Sequence, residues 1–372
     1  MLAGGLLANT AFADLPKKPL NVKVMDTNNN GRIISGAARL AGETIGTFPC
    51  RSRQRRDSGL EEMKLGEPIR IRFGGYSPAD STHSRAAVRF KEALARRVGN
   101  AVQVDHYWNV MDFGYRADDL LSMVECGLLT LCYFSTSYLA DRVPELEAID
   151  LPFIFESEAH AHAALDGALG AFLTAKTESR LNYRVLGYWD NGFRHLTNRL
   201  RPVRAPVDLQ GMRIRLQPND IHVKTFGLLG AVPVPTDLKP GIAMIERGEV
   251  DAQENPLANT VTYGVHQYHK YVTMSGHFYG ARGVYVHKTS FDAWPETVQT
   301  AVREAAREAI EVQRKLATEK EKELRARLEK EGLSFVDLSA QERSAFVAAV
   351  QPVLKDARKE LGDDILAMAA RI

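Results

Sequence analysis

Ile69-Arg-Ile-Arg-Phe-Gly-Gly-Tyr-Ser-Pro78 is the stretch from which the fold class of this chain follows. Its first half, up to Phe73, alternates apolar and charged residues, which is typical of a strand with one buried face. Its second half is rich in Gly, Ser and Pro and predicts a turn. Apolar residues then recur at helical spacing, at Ala87, Phe90, Leu94 and Val98. The stretch therefore opens a strand, loop and helix unit.

Outward from this unit, the alternation of strand and helix patterns continues along the chain. Further strands are predicted at Val102 to Tyr107, Leu128 to Phe134, Tyr183 to Tyr188, Met212 to Leu216 and Leu333 to Leu338, and further helices at Ala117 to Cys126 and Asp220 to Leu229. Such alternation favours an α/β fold with mostly parallel sheets. Pro295 to Lys330 has no internal Gly or Pro and predicts one helix of about 50 Å, long enough to span two lobes.

Composition narrows the possible partners. The chain has 372 residues, enough for about two domains, and 48 Lys and Arg against 46 Asp and Glu give a net charge of +2. So small a charge provides no field for nucleic acid, and the Arg51 to Arg56 run predicts a solvated linker. Because no apolar run reaches the roughly 18 residues of a spanning helix, no direct membrane insertion is expected.

Residues 1–68 predict a poorly structured leader. Leu2 to Ala13 are mostly apolar or small and end in Ala-Phe-Ala, like the end of a secretory signal, although a basic start is missing. Asp26 to Gly31 imitates the start of a calcium loop, but its twelfth position is Ala37 where a bidentate acid belongs. An Asn-rich turn is the favoured interpretation, and no metal site is expected.

Signatures of catalysis are missing from the sequence. It contains no Walker loop, no Gly-x-Gly-x-x-Gly after a strand, no Gly-x-Ser-x-Gly elbow and no His-Glu-x-x-His. His160 and His162 are two residues apart and would face apart on a helix, and His266 and His269 lack a carboxylate at ligand spacing. We therefore expect no enzyme, no catalytic residues and no cofactor.

Polar residues at strand ends and in turns are the stronger signal, because an open α/β sheet presents its ligand crevice there. Arg215 closes a strand pattern in which Arg213 shares its face. Its planar guanidinium matches both oxygens of a carboxylate. An outward arginine in a surface ion pair is an equally good interpretation from these residues alone.

Two further segments are candidates on the same grounds. Asn255 precedes Pro256 on a predicted loop, where its amide can bind an acid or simply shape the turn. Trp189 and Arg194 lie in Trp-Asp-Asn-Gly-Phe-Arg after a predicted strand, and could supply an aromatic wall and a second guanidinium or form a chain-crossing turn.

Together these segments resemble the substrate-binding proteins of tripartite ATP-independent periplasmic (TRAP) transporters. The matching stretches, in order, are Asp150 to Phe155, Asp190 to Asn198, Leu209 to Arg215, Gly248 to Pro256 and Tyr268 to Tyr271. The resemblance spans about Ile69 to Ile372. It implies an exported periplasmic protein, two α/β lobes that close on a ligand, and delivery of that ligand to TRAP membrane permease subunits.

The resemblance also assigns roles to residues. It implies that Arg215 forms a bidentate salt bridge with the substrate carboxylate, that Arg194 adds a polar contact and that Asn255 touches the same acid group. Tyr76, Ser135 and Leu238 occupy positions that tune the choice of ligand and are more polar or acidic in sugar-acid binders of the family.

The ligand class follows from those tuning positions. Their residue types favour a monocarboxylate, keto acid, aromatic acid or dicarboxylate over a polyhydroxylated sugar acid. Trp189, Phe278 and Tyr279 could add aromatic walls or belong to the core.

The expected lobes are residues 69–191 with about 282–320, and residues 192–281 with about 321–372. Two alternatives remain to a solute-binding protein for small organic acids. One is an enzyme acting on a carboxylate, with Arg215 as anchor and Glu254 or His195 as acid or base. The other is a carboxylate sensor or scaffold.

Overall fold

The computed structural model of the protein describes residues 68–370. The predicted leader, its signal-like start and the calcium-like loop lie outside these residues. The strands are β1 Ile69–Gly74, β2 Val102–Tyr107, β3 Leu131–Ser135, β4 Tyr183–Asn198, β5 Arg213–Leu216, β6 Val232–Pro235, β7 Ala252–Asn255, β8 Tyr271–His287 and β9 Ser334–Asp337.

Helices cover much of the remaining chain. They are α1 Thr82–Val98, α2 Asp119–Glu125, α3 Glu158–Asp166, α4 Ala168–Arg180, α5 Asp220–Leu228, α6 Leu238–Glu246, α7 Leu257–Thr262, α8 Lys288–Ala293, α9 Glu296–Lys330, α10 Ala340–Ala349, α11 Gln351–Leu361 and α12 Asp363–Ala370. In the part of the chain described, no helix has both the length and the apolar composition to cross a bilayer.

One open sheet joins the strands, in the order β2-β1-β3-β8-β4-β7-β5-β6, with β9 paired to β8. Five of its eight pairings are parallel, and the three antiparallel ones all involve β4 or β8. The α/β fold is therefore confirmed. The two expected lobes share one sheet, because the long strands β8 and β4 pair with each other and connect β3 on one side to β7 on the other.

The length of β4 changes the setting of several candidate residues. Trp189 and Arg194, expected in a turn, lie within β4, which passes through shifts of register at Asp190/Gly192 and Arg194/Leu196. Asn255 is the last residue of β7, not part of a loop. Ser135 ends β3, and Leu238 is the first residue of α6. The strand differences arise because β3, β4 and β7 pair with β8 or with each other, which the sequence does not reveal. Leu238 differs because α6 begins three residues after β6 ends.

Buried apolar side chains form two large clusters. The first joins one half of the sheet to α1, α9 and residues around α3 and α4, and includes Phe73, Phe90 and Val302. The second joins β5, α5, α10 and α11, and includes Ile214, Phe226 and Phe346.

Helix α9 confirms the expected long helix almost to the residue. Its first half is buried against β4 and α1, at positions such as Val302, Ala305 and Ala309. Its second half buries Leu324 and Leu328 in a small cluster with Val272 of β8. One rigid helix therefore touches both halves of the sheet.

Candidate functional site

Arg215 and Arg213 point to the same face of β5 but have different surroundings. Arg213 is exposed and pairs with Asp251, with 3.0 Å between its Nη2 and Oδ1 of the acid. Arg215 is only 2% exposed and takes part in no ion pair with the residues described. Its Nη2 donates to the Thr236 carbonyl oxygen at 2.7 Å and to the Tyr138 hydroxyl at 3.4 Å, and its Nε has no partner. The surface interpretation therefore describes Arg213, not Arg215.

Helix α6 is built to leave room for Arg215. A Cβ on Gly241 would lie 2.7 Å from Nε and 3.0 Å from Cγ of the arginine. The neighbouring carboxyl of Asp237 instead accepts from the backbone of Ala117 at 3.3 Å. Burial, and then Asp118, raise the pKa of Asp237, so this acid is a weak counterion for Arg215. The guanidinium keeps a charge that a bound acid can neutralise.

A second polar cluster surrounds Arg282 on β8. Arg282 is fully buried, and its Nε and Nη2 donate to the side-chain oxygens of Asn191 and Asn259, each at 3.1 Å. Asn259 in turn donates to Oδ1 of Asn255 at 3.0 Å. The guanidinium carbon lies 4.7 Å from the centre of the Tyr76 ring. The cluster therefore brings together two predicted ligand positions, Tyr76 and Asn255.

Three aromatic rings connect these two regions, and we call them the ring wall: Tyr76, Phe134 and Tyr138. Ring centres lie 4.5 Å apart between Tyr76 and Phe134 and 5.0 Å apart between Phe134 and Tyr138. Arg282 lies over the first ring, and the hydroxyl of the last reaches Arg215. A chain of contacts thus connects Arg215 with Tyr76 and continues through Arg282 and Asn259 to Asn255.

Ser135 borders the ring wall. It lies beside Arg282 in the register of β3 and β8, and its hydroxyl donates to Ser137 at 3.4 Å. Leu238, at the start of α6, packs into the first apolar cluster although its helix follows β6 in the other half of the sheet. Both residues are placed where the two halves of the molecule meet.

Arg194 is already paired. Its Nη2 donates to Oε1 of Glu254 at 2.7 Å and to the Glu254 carbonyl oxygen at 2.7 Å, and its Nε contacts the second carboxylate oxygen. Burial alone would raise the pKa of Glu254, but Arg194 and then His277 hold it well below its ordinary value. The expected ligand contact of Arg194 is therefore reduced, in this structure, to Nη1, which has no partner.

Trp189 and Phe278 are packed among other rings. Trp189 lies 5.1 Å from Tyr133 by ring centres, and Phe278 stacks on His222 at 4.2 Å. Each is 1% exposed. Both belong to the apolar clusters, although Trp189 is directly opposite Arg282 in the register of β4 and β8.

A cavity of about 220 Å³ lies between β4, α7 and α9 and adjoins the Arg282 cluster, because Asn191 and Asn259 line it. Its lining includes His195, Asn259 and Glu321. Burial lowers the pKa of His195 to about 3, so this imidazole is neutral at ordinary pH. The enzyme alternative names His195 and Glu254 as acid or base. Neither of them is among the contacts of Arg215 described above.

Four residues of this region were not proposed from the sequence: Arg282, Asn191, Asn259 and Tyr138. Arg282 had a usable signal, because it is a charge inside the otherwise apolar run Phe278 to Val286. Such a charge in a buried strand is costly unless it has a function or a partner. Asn191, Asn259 and Tyr138 carry no such signal, and only the packing of β4, α7 and the short turn after β3 brings them together.

The site can now be compared with known proteins. A family profile described as bacterial extracellular solute-binding protein, family 7 (DctP), matches residues 73–360. The chain belongs to this family. The resemblance seen in the sequence is therefore confirmed, and with it the periplasmic location of such proteins.

Individual relatives agree with the family. The chain is 30% identical, over 77% of its length and 84% of the relative's, to a solute-binding protein of Verminephrobacter eiseniae. It is also 30% identical to the 2,3-diketo-L-gulonate-binding periplasmic protein YiaO of Escherichia coli, over 77% of this chain and 86% of that one. A TRAP periplasmic solute-binding protein of Polaromonas, bound to D-erythronate, has 26% identity and a TM-score of 0.77, covering 82% of this chain and 99% of its own.

Proposed function

We propose that this protein captures a small organic acid in the periplasm, leaves it chemically unchanged and delivers it to TRAP membrane permease subunits. The observation that carries the proposal is Arg215, a buried guanidinium held by a carbonyl and a hydroxyl, with no carboxylate partner among residues 68–370. A buried charge without a counterion is unfavourable, and a bound carboxylate supplies the missing one.

The remaining candidate residues would complete the ligand's surroundings. Asn255 offers an amide for the acid group, and Tyr76 offers a flat apolar face. Ser135 and Leu238 border this space with a hydroxyl and an aliphatic side chain. Arg194, Trp189 and Phe278 would shape the site mainly from behind, because their side chains are committed to Glu254 or to neighbouring rings.

The proposed ligand is a monocarboxylate, keto acid, aromatic acid or dicarboxylate in preference to a polyhydroxylated sugar acid. Two relatives are described with hydroxylated acids as ligands, 2,3-diketo-L-gulonate for one and D-erythronate for the other. The preference therefore rests on this chain's own residues: the ring wall offers few hydrogen-bonding groups, and hydroxyl groups buried without partners cost binding free energy.

The proposed lobes follow the two apolar clusters. One lobe would contain residues 69–191 with about 282–320, and the other residues 192–281 with about 321–372. Helix α12 would bridge the two lobes, since Ile365 and Ala369 pack with the first cluster and Leu366 with the second. Contacts made by a ligand with both lobes would favour the closed form over an open one.

The test is the affinity of Arg215 variants for the best acid in a thermal-shift screen. Substituting Arg215→Ala is expected to cost about 2 to 5 kcal/mol of binding free energy, because it leaves the ligand's carboxylate unpaired. Arg215→Lys should also weaken binding, because an ammonium lacks the planar fork. The matched control is Arg213→Ala on the same strand face, whose ion pair is exposed. Equal affinity in the Arg215 variants and the parent would refute the assignment, and calorimetry measures it.

An enzyme would leave a different trace. If the ligand is only bound, mass spectrometry after long incubation recovers it unchanged. Conversion of the acid by the parent protein, abolished in an Arg215→Ala variant, would favour the alternative in which Arg215 anchors a substrate.

A further inference from the structure

The buried arginines of this protein are not alike. Among residues 68–370, the buried ones are Arg194, Arg215 and Arg282. Arg194 has the Glu254 carboxylate as its counterion. Arg215 and Arg282 have no ion pair within the described residues, so two positive charges are buried without compensation. One of them, Arg215, is already assigned to a ligand carboxylate.

The neighbours of Arg282 cannot neutralise it. Two asparagine side chains accept its Nε and Nη2, and its Nη1 has no partner. The guanidinium also lies over the rings of Tyr76 and Tyr133. Burial raises the pKa of both hydroxyls, so both rings are uncharged at neutral pH. The fixed polar contacts orient the guanidinium but leave its charge and one nitrogen available.

The position of Arg282 relates it to Arg215. It lies over the Tyr76 end of the ring wall, at 4.7 Å from the ring centre. Arg215 contacts the Tyr138 end through the hydroxyl, at 3.4 Å. Phe134 lies between them, in contact with both outer rings. Two uncompensated cations therefore stand at the two ends of one mainly apolar surface.

We propose that Arg282 is a second anion anchor of the same site, and that the ligand carries two carboxylates separated by an apolar middle. The proposal rests on the proposed function of Arg215 and specifies its ligand class. One carboxylate would bind Arg215 and the other Nη1 of Arg282, and the chain between them would lie along the ring wall. A monocarboxylate would leave Arg282 without a counterion, which is why a diacid is expected to bind more tightly.

Calorimetry with matched acids tests the parent protein directly. Linear diacids of three to eight carbons are compared with monoacids of the same carbon number, such as succinate with butyrate. The best diacid is expected to bind at least about tenfold more tightly than its matched monoacid, a difference of about 1.4 kcal/mol. A monoacid that binds as tightly as the best diacid would overturn the proposal while leaving Arg215 and the proposed function intact. Failure of the parent to bind any organic acid would instead contradict the proposed function.

Variants then assign the second carboxylate to Arg282. Arg282→Gln is expected to weaken diacid binding at least about tenfold and monoacid binding much less, so that the preference falls to near unity. Arg215→Lys should weaken the binding of both the diacid and the monoacid. The control is Arg314→Gln, since Arg314 is a largely buried arginine of α9 that pairs with Asp166, away from the ring wall. It should keep the diacid preference.

Thermal stability of the unliganded variant separates a ligand anchor from a structural residue. Because Arg282 is buried without a counterion, Arg282→Gln should melt at or above the temperature of the parent, and diacid should raise the melting temperature of the parent far more than that of the variant. An unliganded variant that melts well below the parent and keeps the diacid preference would contradict the role. If the variant does not fold, the matched-acid comparison on the parent still decides.

Discussion

At Gly241, the absence of one carbon atom leaves space for Arg215, the proposed anchor of the ligand carboxylate. A methyl group there would lie 2.7 to 3.2 Å from Nε, Cγ and Cδ of Arg215, which must then move. Gly241→Ala should weaken acid binding by about tenfold or more, because a displaced guanidinium loses its bidentate geometry. Folding should not suffer, since Ala is about 1 kcal/mol better than Gly inside a helix. Calorimetry and thermal melting together measure this split.

The matched control is Gly227→Ala in α5. A Cβ at this glycine meets nothing within 4 Å, so the variant gains helix propensity without a clash. It should melt slightly higher than the parent and bind the acid equally well. If Gly241→Ala binds as tightly as Gly227→Ala, the position of Arg215 is not critical for the ligand.

Individual candidate residues could be proposed from the sequence where they lie in a recognisable motif. Arg215 and Asn255 were proposed as ligand residues because short stretches around them resemble a family, and Tyr76 because it lies in the first strand-to-helix loop of the same family. Arg282 was not proposed, because the sequence does not show that this arginine has no carboxylate near it among the described residues. A sequence shows which residues are charged, but only packing shows which charges are uncompensated.

At the scale of elements, α9 and α7 meet through Glu321. Its carboxylate accepts from the backbone N–H groups of Leu257 at 2.9 Å and Ala258 at 3.2 Å. Burial raises the pKa of this acid to about 7, and Glu158 adds to the shift. His195, 4.0 Å away, is neutral and provides no counter-charge. Burial therefore outweighs the two N–H contacts, which by themselves favour the ionised acid, and the pKa of Glu321 stays raised.

The raised pKa of Glu321 predicts that the stability of the protein depends on pH. The pKa of Glu321 is higher in the folded protein than the ordinary 4.5, so folding favours the protonated form and stability falls as pH rises from about 4.5 to 7. Glu321→Gln removes this loss, on the order of 2 to 3 kcal/mol at pH 8. Urea unfolding at pH 5 and pH 8 should show a smaller decrease for the variant than for the parent. The control Glu319→Gln, on the exposed face of α9, should behave like the parent.

Helices were predicted more accurately than strands. Helix α9 carries its own signal, since 35 residues without Gly or Pro can form little else. Strands β4 and β8 were foreseen only in part or not at all, because bulges break their alternation and neighbours cover both faces. Because β4 and β8 pair along most of their length, the sheets expected for two lobes form a single sheet. Such long-range pairing leaves no local pattern in the sequence.

At the scale of the whole molecule, the candidate site is closed. Arg215, Arg282, Tyr76 and Asn255 are all at most 5% exposed. A ligand can reach them only if the two halves separate, and the residues that would part include Asp237 from Ala117. The strands β4 and β8, with their shifts of register between the halves, provide the connections about which such an opening would turn. Binding of the acid would then be coupled to closure of the two halves, because the ligand stabilises the closed form.

A reversible cross-link across the halves tests whether opening precedes binding. Lys239 of α6 donates to the Met111 carbonyl oxygen at 3.1 Å, so these residues face each other across the proposed cleft. With Cys50 and Cys126 replaced by Ser, Met111→Cys and Lys239→Cys can be joined by a bis-methanethiosulfonate reagent. We expect the cross-link to slow acid association at least about tenfold, and reducing agent to restore it, because the ligand enters only the open form. A pair within one half, Glu125→Cys with Arg142→Cys, replaces a salt bridge of 2.6 Å and should not alter the rate. Stopped-flow fluorescence measures both, and unchanged association in the 111–239 cross-linked protein would mean that the acid reaches Arg215 without any separation of the halves.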